Sequence, residues 1–162
     1  MEPDDPFHQL VSELDYPMFI VTATAGERSG CLVGFASQAS IEPPRFVVLL
    51  SKLNHTCGVA ARADALAVHF LTRDDRELAN LFGEETGDRI DKFARCRWEP
   101  GPFGTTVLPD TKGWIAGRVR ERVDAGDHVV HLIDTEVTHL NRSGRPLSFQ
   151  DVRDMKPGHP AS

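Results

Sequence analysis

The stretch from residue 114 to residue 140 limits what this chain can fold into more than any other part of it. Apolar and charged residues alternate over residues 114–123, residues 124–127 (Asp-Ala-Gly-Asp) have the composition of a turn, and residues 129–140 are again apolar and β-branched. A repeat of two puts successive side chains on opposite faces of a strand. The stretch therefore predicts an antiparallel hairpin with one face toward water and the other toward a core.

Other segments predict more strands and several short helices. Apolar runs at residues 18–23, 46–50 and 65–71 are typical of buried strands, and a turn at 25–28 sends the first run back through 30–40. Helices are predicted to begin at Asp5, Thr56 and Thr72, with a helical turn over residues 88–94 and an irregular loop over 97–113. Pro43 and Pro44 cannot lie inside a strand, because each removes a ladder donor.

About six strands with hairpin connections and short flanking helices predict a mainly β protein, a closed or nearly closed antiparallel barrel. Strands and helices do not alternate regularly, which disfavours a doubly wound sheet. A chain of 162 residues fits one domain over residues 1–162. We expect its barrel core over about residues 16–140, and a tail over residues 146–162 that wraps the surface or a partner.

Composition argues against several classes of function. The formal net charge is −6 and no run of Lys or Arg is present, so nucleic acid is not an expected partner. No apolar run approaches the length of a membrane span, and the acidic start lacks a signal-peptide pattern, so we expect a soluble, cytoplasmic protein. Three cysteines without a C-x-x-C pair predict reduced thiols and no metal site.

The first segment with chemical potential runs from Gly30 to Pro44. Gly34 and Ala36 leave room for a flat ligand close to the backbone, and Ser37, Gln38 and Ser40 add hydrogen-bonding groups. The same pattern also fits a strand at a barrel bend with surface serines.

The second segment is residues 51–56, Ser-Lys-Leu-Asn-His-Thr, between a buried strand and a helix. Free backbone N–H groups at a helix start suit a phosphate, and Lys52 and Thr56 add a charge and a hydroxyl. A capped helix with a solvated lysine explains the segment equally well.

The third segment is Gly126-Asp127-His128 at the start of the last long strand. His128 in that position can face a ligand at the barrel mouth. A partly exposed histidine with a structural role is the alternative.

The order of these segments resembles the flavin-reductase-like family of FMN-binding split barrels. In that family a glycine-containing strand ends in a serine-rich segment and a Pro-Pro pair, here Ser40 to Pro44. A Ser/Lys/Thr turn, a Lys-Phe pair, a Trp-led strand and a Gly-Asp-His hairpin follow, here residues 51–56, Lys92-Phe93, Trp114 and residues 126–128. The resemblance covers about residues 16–140.

The resemblance implies a six-stranded antiparallel Greek-key split barrel, a homodimer, and FMN or FAD bound non-covalently. It implies that NADH or NADPH reduces the flavin, which then serves a partner two-component monooxygenase. It assigns residues to the ring and ribityl chain (Phe35, Ala36, Ser37, Gln38, Ser40), to the phosphate end (Ser51, Lys52, Asn54, His55, Thr56), to a cover over the flavin (Lys92, Phe93) and to the nicotinamide side (His128, as catalytic residue).

Two other functions remain open on the sequence: a flavin-binding module or carrier that does not turn over NAD(P)H, and a structural barrel without a ligand. Many members of the family have hydroxyl residues where this chain has Gly34 and Phe35. Phe35 therefore either stacks on the flavin ring or fills the core, and a deazaflavin is a further candidate cofactor.

Overall fold

The computed structural model describes residues 5–84 and 91–155. The helices are α1 (Pro6–Ser12), α2 (His55–Ala60), α3 (Arg76–Glu84) and α4 (Phe149–Val152), with 3-10 turns at Arg73–Asp75, Lys92–Arg95 and Pro102–Gly104. The strands are β1 (Phe19–Thr24), β2 (Arg28–Val33), β3 (Ala36–Ser40), β4 (Arg45–Ser51), β5 (Ala65–Phe70), β6 (Glu99–Pro100), β7 (Thr106–Val107), β8 (Gly113–Asp124), β9 (His128–Asp134) and β10 (Val137–Leu140). The helical turn predicted over residues 88–94 lies partly outside the described residues.

One antiparallel sheet dominates the described part of the chain, in the order β2-β1-β5-β8-β9-β4-β3, with β10 also paired to β8. The long strand β8 changes neighbours along its length, pairing with β5 over residues 113–118 and with β9 over residues 119–124. The sheet curls around this strand into a half-barrel. The predicted mainly β, antiparallel barrel with short helices is confirmed.

The described residues form ten strands, four more than the six predicted. Two of these, β6 and β7, pair with each other inside the loop predicted as irregular over residues 97–113. The other two arise because the chain changes pairing partners inside two of the predicted strands. The predicted strand over residues 30–40 breaks at Gly34 and Phe35 into β2, which pairs with β1, and β3, which pairs with β4. The predicted strand over residues 129–140 likewise divides into β9 and β10. Glu136 donates its N–H to the Ala116 carbonyl at that break, which carries β10 onto the first half of β8.

Local sequence explains the helix starts. Asp5 caps α1 by accepting the N–H of Phe7 at 2.8 Å. Asn54 caps α2 by accepting the N–H of Thr56 at 3.0 Å, so the prediction that Thr56 itself is the cap is wrong. Thr72 begins the third helical stretch as predicted, with a reciprocal capping box to Asp75.

The sheet separates two hydrophobic cores, and β1 is buried on both faces. Phe19 and Val21 face the core under α2, whereas Ile20 faces the core under α3. Leu147 and Val152 are buried in that second core, so the part of the tail up to residue 155 packs against this chain. No helix of the described ranges is long and apolar enough to cross a bilayer.

A buried histidine ties three elements together on the side of the second core. His69 on β5 donates from Nδ1 to the Ile20 carbonyl at 2.9 Å and accepts the Leu108 N–H at Nε2, also at 2.9 Å. Burial, partly opposed by the bond to Ile20, lowers the pKa of His69 from 6.5 to about 4. The imidazole is therefore neutral at physiological pH, with its proton on Nδ1.

Candidate functional site

A cavity of about 400 Å³ opens where the break between β2 and β3 meets the end of β4 and the start of β9. Four residues predicted to contact flavin or nicotinamide line it: Phe35, Ser51, Asn54 and His128. A further part of its wall comes from residues 147–155, which we call the C-terminal segment. The volume lies in the range of small-molecule sites.

Four rings on the wall of this cavity contact one another in a row. The ring centroids of His128 and Phe35 are 5.0 Å apart, those of Phe35 and Tyr16 are 6.2 Å apart, and those of Tyr16 and Phe149 are 4.9 Å apart. Phe35 is 50% exposed, and it is therefore not a core residue. Partly exposed rings on a cavity wall suit a planar ligand.

Gly34 is needed at the centre of this row because the Tyr16 ring packs directly on its backbone. A Cβ on Gly34 would overlap the Tyr16 ring and lie 3.1 Å from Met18 Sδ. We expected Gly34 to leave room for a flat ligand. The structure gives that space to Tyr16, so the cavity wall at this point is a tyrosine ring in place of bare backbone.

His128 is held toward the cavity by its neighbour. Its Nδ1 lies 2.7 Å from Asp127 Oδ1, and only 17% of its side chain is exposed. The hydrogen bond from His128 lowers the pKa of the Asp127 carboxyl, and the charge of His128 contributes in the same direction. In the ladder His128 pairs with Ser51, which places the histidine beside the turn that ends β4.

The β4–α2 turn, residues 51–56, satisfies most of its own amides. The N–H groups of Leu53 and Asn54 bond to the Ser51 side chain and carbonyl, and those of Thr56 and Cys57 bond to the Asn54 side chain and carbonyl. The N–H of Lys52 donates to the Asp127 carbonyl. The expected row of free amides for a phosphate is therefore absent at these five positions. The Ser51 and Asn54 side chains remain at the cavity wall.

Lys52 does not line the cavity, because its ammonium group is held by an acid on β8. Nζ lies 2.9 and 2.8 Å from the two carboxylate oxygens of Asp124. The hydrogen bond from Lys52 is the main reason that the pKa of Asp124 is lowered, followed by the N–H of Gly126. In the predicted contact, a phosphate therefore competes with Asp124 for the Lys52 ammonium group.

The remaining predicted phosphate residues have partners away from the cavity. The buried Thr56 hydroxyl bonds to that of Ser29 at 2.7 Å. His55 Nε2 lies 2.7 Å from Glu27 Oε1. Neither side chain lines the cavity, and their contact with a phosphate stays a prediction.

The residues predicted to follow the ring and ribityl chain lie on β3, at an edge of the sheet. Ala36 and Ser40 are half-buried and Ser37 and Gln38 are exposed. None of the four lines the cavity. Of the predicted ring residues only Phe35, just before β3, does so, and the others stay predictions.

Lys92 and Phe93, predicted to close over the flavin, are buried instead. Lys92 Nζ donates to the carbonyls of Gly30 at 3.2 Å and Phe82 at 3.0 Å. The Phe93 ring packs edge-on against Phe82 with centroids 5.5 Å apart. Both side chains hold the second core together, so the site that we propose does not include them.

The thiols are not poised for chemistry. Cys31 lines the cavity, but burial raises its pKa to about 11. Burial also raises the pKa of Cys57 and Cys96. All three cysteines are free and carry neutral thiols. Within the described residues no three His, Cys, Asp or Glu side chains are grouped as metal ligands would be.

Sequence reasoning missed the aromatic and C-terminal parts of the wall, namely Tyr16, Phe149 and Arg153. Ser148 and Asp151 form a capping box, a pattern that identifies the start of α4 from the sequence. Nothing in the sequence places Phe149 beside Tyr16, because that contact depends on the tertiary fold.

The cavity suits a flavin by its own properties. Aromatic surface at Phe35, Tyr16 and Phe149 matches a planar ring, and the Ser51 and Asn54 side chains supply polar groups for a ribityl or phosphate end.

Comparison with known proteins agrees with this geometry. The family described as flavin reductase like domain matches residues 11–157. The actinorhodin polyketide dimerase of Streptomyces coelicolor is 30% identical over 141 residues, covering 85% of this chain and 78% of the relative. The NADH:riboflavin 5'-phosphate oxidoreductase of Streptomyces pristinaespiralis is 30% identical over 125 residues, covering 75% and 69%. Two relatives at 23% identity are named as reductase components of monooxygenases.

Length and fold comparisons add two facts. The chain spans 78%, 40% and 56% of three relatives, so some of them are much longer than it. The crystal structure of a flavin reductase domain protein from Arthrobacter sp. FB24 superposes with a TM-score of 0.81 at 23% identity, covering 90% of this chain and 89% of that one. With the family match across residues 11–157, these findings show that the chain belongs to the flavin reductase-like family.

Proposed function

We propose that this protein is an NAD(P)H:flavin oxidoreductase that binds FMN or FAD non-covalently in the 400 Å³ cavity. The observation that carries the proposal is the convergence of Phe35, Ser51, Asn54 and His128 on that cavity, in a chain of the flavin reductase-like family. These four residues come from three separate segments of the sequence, at residue 35, residues 51–54 and residue 128.

Each residue has a task that follows from its position. Phe35 offers its ring to the planar part of the flavin, and Ser51 and Asn54 offer hydrogen bonds to the polar part. Asp127 fixes the His128 ring, so that the imidazole meets the nicotinamide side in one orientation. A bound flavin supplies the hydride acceptor, so the protein has to position the two ring systems and exclude water.

The choice of nicotinamide and of the partner follows the relatives' names. One relative is named for NADH and riboflavin 5'-phosphate, which favours NADH and FMN. Relatives named as reductase components of monooxygenases favour a partner oxygenase that consumes the reduced flavin. Three free cysteines fit the reducing cytoplasm as the compartment.

A homodimer is part of the proposal. Strand β3 lies at a sheet edge, and Ile41 just beyond it is 81% exposed. Phe7 and Leu10 on α1 are 64% and 70% exposed. Exposed edges and apolar side chains of this kind favour association with a second copy. Light scattering on the purified protein measures the oligomer directly.

A second candidate is a flavin-binding protein that does not oxidise NAD(P)H. One relative at 30% identity is named a polyketide dimerase, which is not the name of a reductase. On this alternative the same cavity binds flavin, and another substrate meets the ring.

One experiment separates the two. Purified protein is mixed with FMN, FAD or riboflavin, and NADH or NADPH consumption is followed by absorbance. We expect flavin-dependent consumption, and about a tenfold lower kcat/KM for His128→Asn, since a lost hydrogen bond to a charged or reacting group costs about 1.5 kcal/mol. His139→Asn is the matched control, because His139 stacks on Trp114 away from the cavity. Flavin binding with no consumption of either nicotinamide would favour the second candidate.

A further inference from the structure

The row of rings extends beyond the residues expected to contact flavin. His128 pairs with Ser51 in the ladder, Phe35 contacts His128, Tyr16 contacts Phe35, and Phe149 contacts Tyr16. Along this chain of contacts Tyr16 and Phe149 are the members farthest from Ser51. The cavity therefore has a polar end at Ser51 and Asn54 and an aromatic end at Tyr16 and Phe149.

Backbone hydrogen bonds hold the aromatic end of the cavity in place. The Phe149 N–H donates to the Tyr16 carbonyl at 2.8 Å, and the Met18 N–H donates to the Leu147 carbonyl at 2.8 Å. The rings of Tyr16 and Phe149 are nearly parallel, with an interplanar angle of 20°. The C-terminal segment thus lies along residues 16–18 like an added strand, which fixes the orientation of both rings.

Neither ring is fully covered by the protein. Tyr16 and Phe149 pack against the second core on one side, yet both are only half-buried and both line the cavity. If these two rings served only to cover the core, they would present no aromatic surface to the cavity. Two oriented rings with surface left toward a space of ligand size fit a planar aromatic ligand.

We propose that Tyr16 and Phe149 bind the isoalloxazine ring of the flavin, so that the C-terminal segment recognises the ring whereas Ser51 and Asn54 recognise the polar chain. This inference rests on the proposed flavin site. It makes Tyr16 and Phe149 binding residues for the ring, without a contact to the phosphate. Riboflavin, FMN and FAD share the ring, so all three should depend equally on this end of the cavity.

Tyr16 is the single tyrosine of the chain, which makes it a selective probe. Protein labelled with 3-fluorotyrosine gives one fluorine resonance. We expect riboflavin, which lacks a phosphate, to shift that resonance, and inorganic phosphate to leave it in place. Binding of riboflavin is measured in the same sample by quenching of flavin fluorescence, so occupancy is known independently of the shift.

Substitution provides the second readout. Phe149→Leu should weaken riboflavin, FMN and FAD by the same factor, about two- to tenfold, as expected for one aromatic contact. Phe103→Leu is the matched control, because Phe103 is 38% exposed, packs against Arg118 and lies outside the cavity wall. It should leave all three affinities unchanged.

The outcomes separate this inference from the proposed function. Flavin binding with an unmoved Tyr16 resonance overturns the inference and leaves the proposed function standing. A loss in Phe149→Leu confined to FMN and FAD also overturns it, because the ring is common to all three ligands. No binding of any flavin by the wild-type protein overturns the proposed function itself. The fluorine measurement uses the unaltered sequence, so it decides even where Phe149→Leu fails to fold.

Discussion

The two ends of the cavity differ in how far the protein itself occupies their groups. The polar groups at one end bond to other protein groups, whereas the rings at the other end are only partly covered. At the polar end, the turn of residues 51–56 uses its amides internally and Lys52 is paired with Asp124. At the aromatic end, Tyr16 and Phe149 keep ring surface toward the cavity. Motifs rich in polar residues can satisfy one another, whereas an aromatic face on a cavity wall has only a ligand or water to meet. The availability of a group for binding is therefore a property of the fold.

The largest expected effect concerns the core beneath the aromatic end. His69 bonds to Ile20 and Leu108, which lie in the same core as Leu147 of the C-terminal segment. The pKa of His69 is about 4 in the folded chain against an ordinary 6.5, so the unfolded chain binds a proton first as pH falls. The resulting stabilisation is complete above pH 6.5 and is lost between pH 6.5 and about 4, amounting to about 3 kcal/mol.

Urea unfolding across this pH range measures the loss, and His69→Gln should flatten the slope. Burial also lowers the pKa of His131, so a smaller part of the slope should remain in that variant. If the pH slope of the free energy of unfolding is unchanged in His69→Gln, protonation of other groups accounts for the loss of stability in acid.

The next largest effect tests whether the packing of the Tyr16 ring on Gly34 contributes to the free energy of unfolding. Gly34→Ala places a methyl group in the Tyr16 ring and should lower the free energy of unfolding by about 1–3 kcal/mol. It should also move the fluorotyrosine resonance without any ligand.

Gly58→Ala is the matched control, because a Cβ on Gly58 in α2 meets nothing within 4 Å. It should be neutral or stabilising by up to about 1 kcal/mol, since alanine is the better helix former. Equal destabilisation by the two substitutions would mean that glycine flexibility, and not the Tyr16 contact, explains Gly34.

The smallest expected effect is a change in FMN affinity at the polar end of the cavity. Asp124→Asn removes the charge that holds Lys52 but keeps an oxygen for the Gly126 N–H. Because exposed ion pairs are weak, FMN should bind up to about fivefold more tightly and riboflavin should be unaffected.

A double-mutant cycle tests this explanation: Asp124→Asn is introduced into Lys52→Ala, and flavin affinities are measured by fluorescence titration. The gain from Asp124→Asn should disappear there, because no lysine remains to be released. A gain for riboflavin, or one that survives without Lys52, would show that Asp124 acts by another route.

Alternation and turn composition were enough to predict the class of fold. The apolar run at residues 18–23 is continuous because β1 is buried on both faces. The expectation of one wet and one buried face over residues 114–123 was wrong, because β8 is mostly buried up to Gly117 and exposed from Arg120 onward. The break at Gly34–Phe35 fits the alternative of a strand at a barrel bend, whereas the break at residues 135–136 was not predicted; both occur where the chain changes pairing partners. Pairing partners are set by tertiary structure and leave little local signal.

Only part of the candidate site was predicted, again because tertiary structure decides which residues meet. Phe35, Ser51, Asn54 and His128 lie in segments whose order along the chain resembles a known family, and the structure brings them to one cavity. Lys92 was expected beside the ligand, but its ammonium group bonds to two buried carbonyls. Sequence identifies a residue that can carry a charge, whereas burial and distance decide what that charge meets.

The cavity wall joins two segments that lie far apart in the sequence. Tyr16 precedes β1 and Phe149 follows β10, and their backbones are joined by a hydrogen bond. A force applied to the C-terminal segment, for example by a protein fused after it, would therefore pull on the wall of the cavity itself. A cut between β10 and Leu147 would likewise remove that part of the wall and leave the turn of residues 51–56 in the chain.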